Sequence, residues 1–352
     1  MQFNEEFILL SNTPFGDVQI RYYGIIIVAA MLVAAWIAAR LAQRTNRDPD
    51  HVWGALTWAI FPGIIFARLW FVLFPTISSI ESGRDALWYF QNFFDLQNGA
   101  IAIWSGGLSI FGAVLGGFLG AWLYFSRYHN PISRVFHYIF LPISAIFEFI
   151  AWIFVAIYQL ATGKEVQRYQ LPKFESEFPA SGMDMAPWLD IAGVALPLAQ
   201  AIGRWANFVN QELYGLPTNL PWGISIDADH RVGIYRSTVD YPVTGQDAAR
   251  FHPLFLYESL WNLVAFFVLL NLYNRYRDRF IPGDFFLLYL AQYSFIRFFL
   301  EFLRIEQALI PGIGINSSQV ITAAVFVIAL VVYFVRHMGN SRTQYEETPA
   351  QA

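Results

Sequence analysis

Long apolar segments alternate with polar stretches along the chain. Seven windows of about 18 to 22 residues are apolar enough to cross about 30 Å of hydrocarbon as helices. They lie near residues 22–40, 53–74, 106–125, 187–204, 253–273, 283–303 and 317–336. The pattern predicts an all-α polytopic membrane protein with seven transmembrane helices.

Composition agrees with this class and narrows the chemistry. Of the 352 residues, 56% are hydrophobic and only 14% are charged, which is too apolar for a soluble fold. The net charge of −4 comes without a basic stripe, so nucleic acid is not an expected partner. Because the chain has no cysteine, a reaction at a thiol must take that thiol from a substrate.

The distribution of Lys and Arg predicts the orientation. Alternate loops hold 13 basic residues: Arg40, Arg44, Arg47, Arg127, Arg134, Lys164, Arg168, Lys173, Arg275, Arg277, Arg279, Arg336 and Arg342. The other loops hold four, namely Arg84, Arg231, Arg236 and Arg250. Since cytoplasmic loops carry the excess of positive charge, we expect the N-terminus outside and the C-terminus in the cytoplasm.

One further apolar segment, residues 135–160, has basic residues on both flanks. A single crossing by this segment would invert the membrane orientation of every later span. We expect a surface-lying or re-entrant helical hairpin, broken near Pro142, with Glu148 disfavouring the bilayer centre.

The predicted layout is three transmembrane helices in 1–126, a cytoplasmic-side insertion with apolar re-entrant or interfacial helices in 127–186, the fourth span in 187–204, a small external cap in 205–252, the last three transmembrane helices in 253–336 and a disordered cytoplasmic tail in 337–352.

Two local patterns refine this layout. In the predicted cap, the pieces WGISID (222–227) and VGIYRSTV (232–239) have strand-like composition. In the third span, small residues favour close packing against a neighbouring helix. These residues are Gly106, Gly107, Gly112, Gly116, Gly117 and Gly120.

Polar residues gather at GRWANFVNQELYG (203–215), at the end of an apolar segment. Lipid makes Arg204, Asn207, Asn210 and Glu212 costly there unless they have partners or a ligand. One interpretation is a binding site. The other is a helix end whose polar side chains satisfy one another and reach the interface.

Further polar clusters lie on other spans. Tyr293, Arg297, Glu301 and Arg304 recur at steps of four, four and three, so they share one helix face. That stripe is either a self-shielding ion pair or an anion site. The fifth span begins with His252, Tyr257 and Glu258, and the first span begins with Arg21 and Tyr23. Five arginines lie within or against spans: Arg21, Arg68, Arg204, Arg297 and Arg304.

We expect these clusters to line one cavity that opens toward lipid or the outer face. The guanidinium forks of arginine suit an anionic oxygen group, and a lipid phosphate is the expected anion. The spans contain no phosphate-binding glycine loop, no Gly-x-Ser-x-Gly elbow, no HExxH motif and no spaced acidic metal ligands. Metal-dependent phosphotransfer and serine hydrolysis are therefore poorly supported, and neither a metal nor another cofactor is expected.

The segment 203–215 closely resembles the signature of bacterial prolipoprotein diacylglyceryl transferases. The blocks IRYYG, ARLWFVLF, WSGGLSIFGA, HPLFLYES and YSFIRFFLEFLR are similar to that family's other blocks in the same order, and the similarity covers most of residues 20–305. The resemblance implies seven spans with an outside N-terminus, in the bacterial cytoplasmic (inner) membrane. It also implies transfer of the diacylglyceryl group of phosphatidylglycerol to the lipobox cysteine of a preprolipoprotein, which forms a thioether and releases glycerol phosphate.

The resemblance, together with the chemistry of these side chains, leads us to expect roles for single residues. The catalytic set is Arg204, Arg297, Tyr293, Glu212 and His252; the substrate-binding set is Tyr23, Asn207, Asn210, Gly215, Tyr257, Glu301 and Arg304. In this scheme the two catalytic arginines hold the phosphate as it departs, and Glu212 and His252 are the candidates for accepting the thiol proton.

The chain departs from the family pattern at two positions. Ala206 replaces a usual glycine, and Phe111 stands where many members have a histidine. If that histidine were the obligatory base, the chain would be an inactive or retargeted paralogue. Two further alternatives are a transporter or channel for an anionic solute, and a different headgroup enzyme such as a phosphatidyl transfer enzyme, which ordinarily needs metal ligands.

Overall fold

A computed structural model describes residues 2–3, 7–13, 16–75, 79–80, 82–103, 106–126, 184–245, 247–305 and 314–338, with scattered positions between 135 and 168. The chain forms two compact units. The first unit is Met1–Pro49 with Ala186–Ala352, and the second is Asp50–Met185. Each unit is described by itself below.

The described elements are mostly helical. Three strands come first, β1 (Gln2–Phe3), β2 (Phe7–Thr13) and β3 (Gly16–Arg21), and form an antiparallel sheet in the order β1-β2-β3. The helices are α1 (Tyr22–Arg44), α2 (Asp50–Leu73), α3 (Ala86–Gln91), α4 (Ile110–Ser126), α5 (Ala186–Val209), α6 (Leu254–Tyr276), α7 (Asp284–Leu300) and α8 (Ser317–Met338). Short 3-10 helices lie at Ala228–His230, Gly233–Arg236, Arg277–Arg279 and Glu301–Leu303.

Within these described ranges, six helices are long and apolar enough to cross a membrane: Tyr22–Arg44, Asp50–Leu73, Ala186–Val209, Leu254–Arg279, Asp284–Leu303 and Ser317–Met338. They confirm the class of a helical, polytopic membrane protein. Their outer surfaces are apolar, as on α8, where Ile328 and Phe334 are exposed. The small N-terminal sheet is an addition to the all-α prediction.

The window predicted as the third crossing, 106–125, forms a shorter apolar helix. Helix α4 begins only at Ile110 and is 17 residues long. Gly106 and Gly107 precede it with φ angles of 88° and 68°, a left-handed conformation that a right-handed helix does not contain. Two glycines that were expected to pack inside the helix therefore form its entry turn.

Two predictions lie largely outside the described residues. Several described positions between 135 and 161 are helical, Pro142 among them. The predicted break of the hairpin, its crossing behaviour and Glu148 lie outside the described residues. So does the predicted disordered tail beyond Met338.

In the second unit, α2 and α4 pack closely along a line of glycines. A Cβ added at Gly112 would overlap the backbone carbonyl of Phe66, and one added at Gly116 would overlap that of Pro62. The predicted role of these glycines in close helix packing is confirmed.

Arg68 is buried in the same unit and is saturated by backbone carbonyls. Its Nε donates to Ala100 O at 2.9 Å and its Nη2 to Gly99 O at 2.6 Å. Its Nη1 donates to Gly106 O at 2.5 Å and to Gly107 O at 3.2 Å. Arg68 thus fixes Gly99, Ala100, Gly106 and Gly107 to α2.

In the first unit, α5 packs against α1, α6 and α7, and α7 also packs against α8. The buried carboxylate of Asp190, near the start of α5, accepts hydrogen bonds from the backbone N–H groups of Gly283 at 2.7 Å and Phe285 at 2.8 Å. This contact sets the register of α5 and α7, which run in the same direction from it. Fourteen residues further along each helix, about 21 Å, Arg204 and Arg297 reach the same level.

The segment between α5 and α6 is held by a small apolar cluster of Tyr214, Ile226 and Phe251. In the piece WGISID, Ile224 pairs with Phe251 in an isolated bridge. The strand-like prediction for VGIYRSTV is wrong, because Gly233–Arg236 is a 3-10 helix that starts at a glycine with a φ angle of 59°.

Candidate functional site

Three helices of the first unit bring their polar residues to one level. Arg204 lies near the end of α5, Glu258 lies in the second turn of α6, and Arg297 lies near the end of α7. The 3-10 turn that continues α7 supplies Glu301, and Arg304 follows it. The sequence predicted that these spans share a site, and the structure brings these residues together.

Glu258 lies between two arginines from different helices. Its Oε1 is paired with Nη2 of Arg204. Its Oε2 lies 3.5 Å from Nη1 of Arg297. Each oxygen of the carboxylate therefore contacts one guanidinium group.

A second carboxylate extends the row. Glu301 Oε2 lies 3.2 Å from Arg297 Nη2 and 3.6 Å from Arg304 Nη1. Its Oε1 accepts a hydrogen bond from Asn316 Nδ2 at 3.3 Å. Arg297 thus bridges the two glutamates, and the predicted ion pair of Arg297 with Glu301 is present.

We call Arg204, Glu258, Arg297, Glu301 and Arg304 the ion-pair chain. It alternates in sign and contains three positive and two negative groups, which leaves one positive charge uncompensated within the chain. The side chains of the glutamates are 3% and 1% exposed, whereas those of the arginines are 20%, 17% and 22% exposed. The arginine side chains are therefore the more exposed members of the ion-pair chain, and the two carboxylates are its buried members.

Tyrosines adjoin the chain along α7. Arg204 Nη2 donates to Tyr293 Oη at 3.1 Å. Because arginine is only a donor, the hydroxyl proton of Tyr293 remains available to another acceptor. One turn earlier, the Tyr289 ring lies 6.2 Å from the Tyr293 ring in a stacked arrangement, and Tyr289 Oη accepts from Gln200 Nε2 at 2.9 Å. Sequence reasoning missed Gln200 and Tyr289.

The residues that follow Arg204 are linked to it. Arg204 Nη1 donates to Asn207 Oδ1 at 3.3 Å, and Asn207 Nδ2 donates to Glu212 Oε1 at 2.8 Å. Arg204, Asn207 and Glu212 are therefore hydrogen-bonded to one another in a row, as one of the two interpretations of this segment predicted. Glu212 is exposed, not buried, because it lies beyond the end of α5, in the turn that follows.

Gly215 joins the signature segment to the other two helices through its backbone. Its N–H donates to His252 O at 2.9 Å, and the residue forms a bridge with Arg304. A Cβ there would lie 2.8 Å from His252 Cβ and 2.9 Å from Leu303 O. Close backbone approach accounts for the glycine.

His252 and Tyr257 form a hydrogen-bonded group with Trp222. Trp222 Nε1 donates to Tyr257 Oη at 2.8 Å, and that hydroxyl lies 3.0 Å from His252 Nδ1. An indole N–H only donates, so the hydroxyl proton of Tyr257 is free to bond to Nδ1. In that arrangement the neutral His252 carries its proton on Nε2.

Three further residues singled out by the sequence do not belong to the ion-pair chain. Tyr23, in the first turn of α1, interacts electrostatically with Glu212 and Arg204. Asn210 lies just beyond the end of α5, and its backbone N–H donates to Ala206 O at 3.1 Å. Phe111 belongs to the second unit, where its ring lies 6.0 Å from the Trp70 ring.

Glu258 is the residue whose importance the sequence understated. It was recognised as one member of a polar cluster at the start of a span, without a role of its own. The available signal was a carboxylate inside an apolar helix, which is costly unless paired. Its partners come from two other helices, so their identity was not visible from local spacing.

Comparison with known proteins gives one consistent result. A family model described as prolipoprotein diacylglyceryl transferase matches residues 12–160 and 176–335. A phosphatidylglycerol–prolipoprotein diacylglyceryl transferase of Chloroflexus aggregans is 33% identical, over 97% of this chain and 92% of its own length. Proteins of the same name from Prochlorococcus marinus and Thermotoga petrophila are each 29% identical, over 91% and 93% of this chain and 90% and 85% of their own lengths.

Proposed function

Because the chain belongs to the prolipoprotein diacylglyceryl transferase family, we propose that its ion-pair chain binds the phosphate of phosphatidylglycerol during transfer of the diacylglyceryl group to a preprolipoprotein. The acceptor is the thiol of the lipobox cysteine, the product is a thioether, and glycerol phosphate leaves. This reaction is the first step of lipoprotein maturation.

The charge of the ion-pair chain carries this proposal. Its three arginines and two glutamates leave one positive charge. The phosphodiester of phosphatidylglycerol carries one negative charge, which equals the net positive charge of the ion-pair chain. The arginine side chains are also the more exposed members of the chain. Their forked N–H donors match the geometry of an anionic phosphate oxygen pair.

Arg204 and Arg297 have the central role in transfer. A phosphate group departs from carbon only if its developing charge is stabilised, and fixed guanidinium groups supply that stabilisation in a low-dielectric site. Glu301 holds Arg297, and Arg304 pairs with Glu301 and completes the charge of the ion-pair chain. Tyr293 and Tyr23 donate hydrogen bonds to the lipid headgroup.

The remaining predicted residues contact the headgroup glycerol or the acceptor. Asn207 and Asn210 fix the glycerol, and Gly215 allows the close backbone approach that shapes this region. Tyr257 binds substrate beside His252. His252 and Glu212 are the candidates that the sequence offers for the thiol proton.

We further propose the topology in which this site faces outward. The helix α4 provides the seventh crossing, the N-terminus is outside, the 205–252 segment is a small external cap, and the membrane is the bacterial inner membrane. The excess of Lys and Arg on one side supports this orientation. Reporter fusions after Thr162 should report a cytoplasmic location, and an external location would contradict it.

The activity assay measures release of glycerol phosphate from phosphatidylglycerol, dependent on a lipobox peptide with an intact cysteine. Arg297→Gln should lower kcat/KM by roughly 100- to 1,000-fold, because one fixed donor to the developing charge is lost. Activity within a few-fold of the unsubstituted protein would contradict the role of Arg297.

A matched control comes from the other end of the same unit. Arg336 lies 3.1 Å from the buried carboxylate of Asp284 and donates to Pro282 O at 2.6 Å. Arg336→Gln also removes one arginine from a buried carboxylate, so it should destabilise the protein to a comparable degree. The folded fraction of this control should keep its turnover.

A further inference from the structure

The position of Glu258 resembles that of a bound anion. Its two oxygens each face one guanidinium group, from α5 and from α7, in the place where a phosphate would bind both. The hydroxyl groups of Tyr293 and Tyr289, on α7, are its other titratable neighbours. A phosphate that binds Arg204 and Arg297 therefore competes with Glu258 for the same two partners.

Glu258 is also covered by the groups that would bind the lipid. Its side chain is 3% exposed, beneath arginines that are 20% and 17% exposed. When a phosphate draws these arginines toward itself, the carboxylate is uncovered and loses its counter-charges. A buried carboxylate without counter-charge is strongly disfavoured, and taking up a proton relieves that cost.

The charge balance of the reaction leads to the two carboxylates of the ion-pair chain, Glu258 and Glu301. Before transfer, the ion-pair chain at +1 and the phosphodiester at −1 give a neutral site. After transfer, the released phosphate monoester is a dianion at neutral pH or above. The site stays neutral only if the ion-pair chain rises to +2, which happens when one of its two carboxylates is protonated. If the proton is taken up outside the chain, the ion-pair chain and the phosphate together carry a net negative charge.

We infer that Glu258 accepts the thiol proton during transfer, once the lipid phosphate has replaced it as the partner of Arg204 and Arg297. The S–H bond breaks and its proton passes to the Glu258 carboxylate, while the sulfur electron pair forms the bond to the glyceryl carbon. The C–O bond to phosphate breaks, and its electrons leave on the phosphate oxygen. The proton departs when the glycerol phosphate is released and the ion pairs form again.

This inference rests on the proposed function and refines it by choosing among the proton acceptors. In the structure, Nδ1 of His252 faces the Tyr257 hydroxyl, and Glu212 is exposed and hydrogen-bonded by Asn207. Glu258, by contrast, is held beside both arginines that contact the leaving group.

The main experiment compares the pH profile of the unsubstituted protein with that of Glu258→Gln. The amide keeps an oxygen for the arginines but accepts no proton, so kcat should fall roughly 100-fold or more. KM for phosphatidylglycerol should stay equal or fall, because a competing anion has been removed. The residual rate should rise about tenfold per pH unit up to the ordinary thiol pKa of about 8.5, as the thiolate forms without help.

The matched comparison is Glu301→Gln, at the other buried carboxylate of the ion-pair chain. Glu301 positions Arg297 and Arg304, so its loss should raise KM for phosphatidylglycerol and leave the slope of the pH profile unchanged. His252→Gln and Glu212→Gln should also keep the unsubstituted slope. The inference is overturned if Glu258→Gln keeps its kcat, or if His252→Gln or Glu212→Gln acquires the tenfold slope instead.

A second measurement needs no variant of Glu258. Glycerol phosphate is mostly a dianion at pH 8, and its binding to the unsubstituted protein should take up about one proton per molecule. Calorimetry in buffers of different ionisation enthalpy measures this number, and the uptake should persist in His252→Gln. Zero uptake would overturn the inference.

The outcomes separate the inference from the proposed function. If Arg297→Gln binds phosphatidylglycerol normally, the phosphate site itself is wrong. If that binding is weakened while the Glu258 results fail, only the proton acceptor is wrong.

Discussion

Arg68 and Arg297 are both arginines within apolar helices, yet their surroundings differ in kind. Arg68, in the second unit, donates to four backbone carbonyls at 2.5 to 3.2 Å. Arg297, in the first unit, contacts the carboxylates of Glu258 and Glu301 and is more exposed. Neutral carbonyls use up the donors of a guanidinium group, whereas shared carboxylates can exchange places with a bound anion.

The difference between Arg68 and Arg297 shows that an arginine within an apolar helix is not by itself evidence for an anion site. The sequence treated five of them as pointers to one anion site, because charge in lipid is costly without a reason. Arg68 satisfies that rule through four backbone carbonyls and the rings of Phe71 and Tyr89, without a carboxylate among these contacts. The partner of an arginine, and not its depth in a helix, therefore distinguishes a structural role from a binding role.

Among the variants that test this comparison, Arg68→Leu should have the largest effect on stability. The change leaves the buried carbonyls of Gly99 and Ala100 without their donor, and each unsatisfied group costs about 1–3 kcal/mol. The free energy of unfolding should fall by about 3 kcal/mol or more, measured by thermal or denaturant unfolding in detergent. Unchanged stability would show that the carbonyl contacts of Arg68 are not structural supports.

The smallest effect is expected at Asn207, which joins Arg204 to Glu212 by hydrogen bonds of 3.3 and 2.8 Å. Asn207→Ala removes this link and leaves the ion pair of Arg204 with Glu258 in place. kcat/KM should fall about tenfold, the equivalent of one hydrogen bond to a charged group, with stability nearly unchanged. A loss as large as that of Arg297→Gln would place Asn207 in direct contact with the departing phosphate.

Much of the fold was predictable because apolar length is a local property. Six of the seven predicted windows correspond to long apolar helices. The third window was predicted too long because two glycines at positive φ start the helix late. The N-terminal sheet was missed, since pairing of Phe7–Thr13 with Gly16–Arg21 depends on partners and not on local apolar length.

In the site, too, the contacts within one helix could be predicted from the sequence, and the contacts between helices could not. The stripe Tyr293, Arg297, Glu301 and Arg304 follows from helical spacing on one span, and contacts within it are observed. The bridging place of Glu258 follows from the packing of α5, α6 and α7, which spacing along one helix does not specify. Gln200 and Tyr289 were missed for that reason too, because their hydrogen bond joins two helices.

The most direct test of the phosphate site is equilibrium binding without the acceptor peptide. Short-chain phosphatidylglycerol and the matching uncharged diacylglycerol are titrated into the unsubstituted protein, Arg204→Gln and Arg68→Leu. The account predicts that Arg204→Gln weakens binding of phosphatidylglycerol by about 100-fold, or roughly 2.7 kcal/mol. Binding of diacylglycerol should be unaffected, and the folded fraction of Arg68→Leu should bind both normally. Equal affinity of Arg204→Gln and the unsubstituted protein for phosphatidylglycerol would contradict the account.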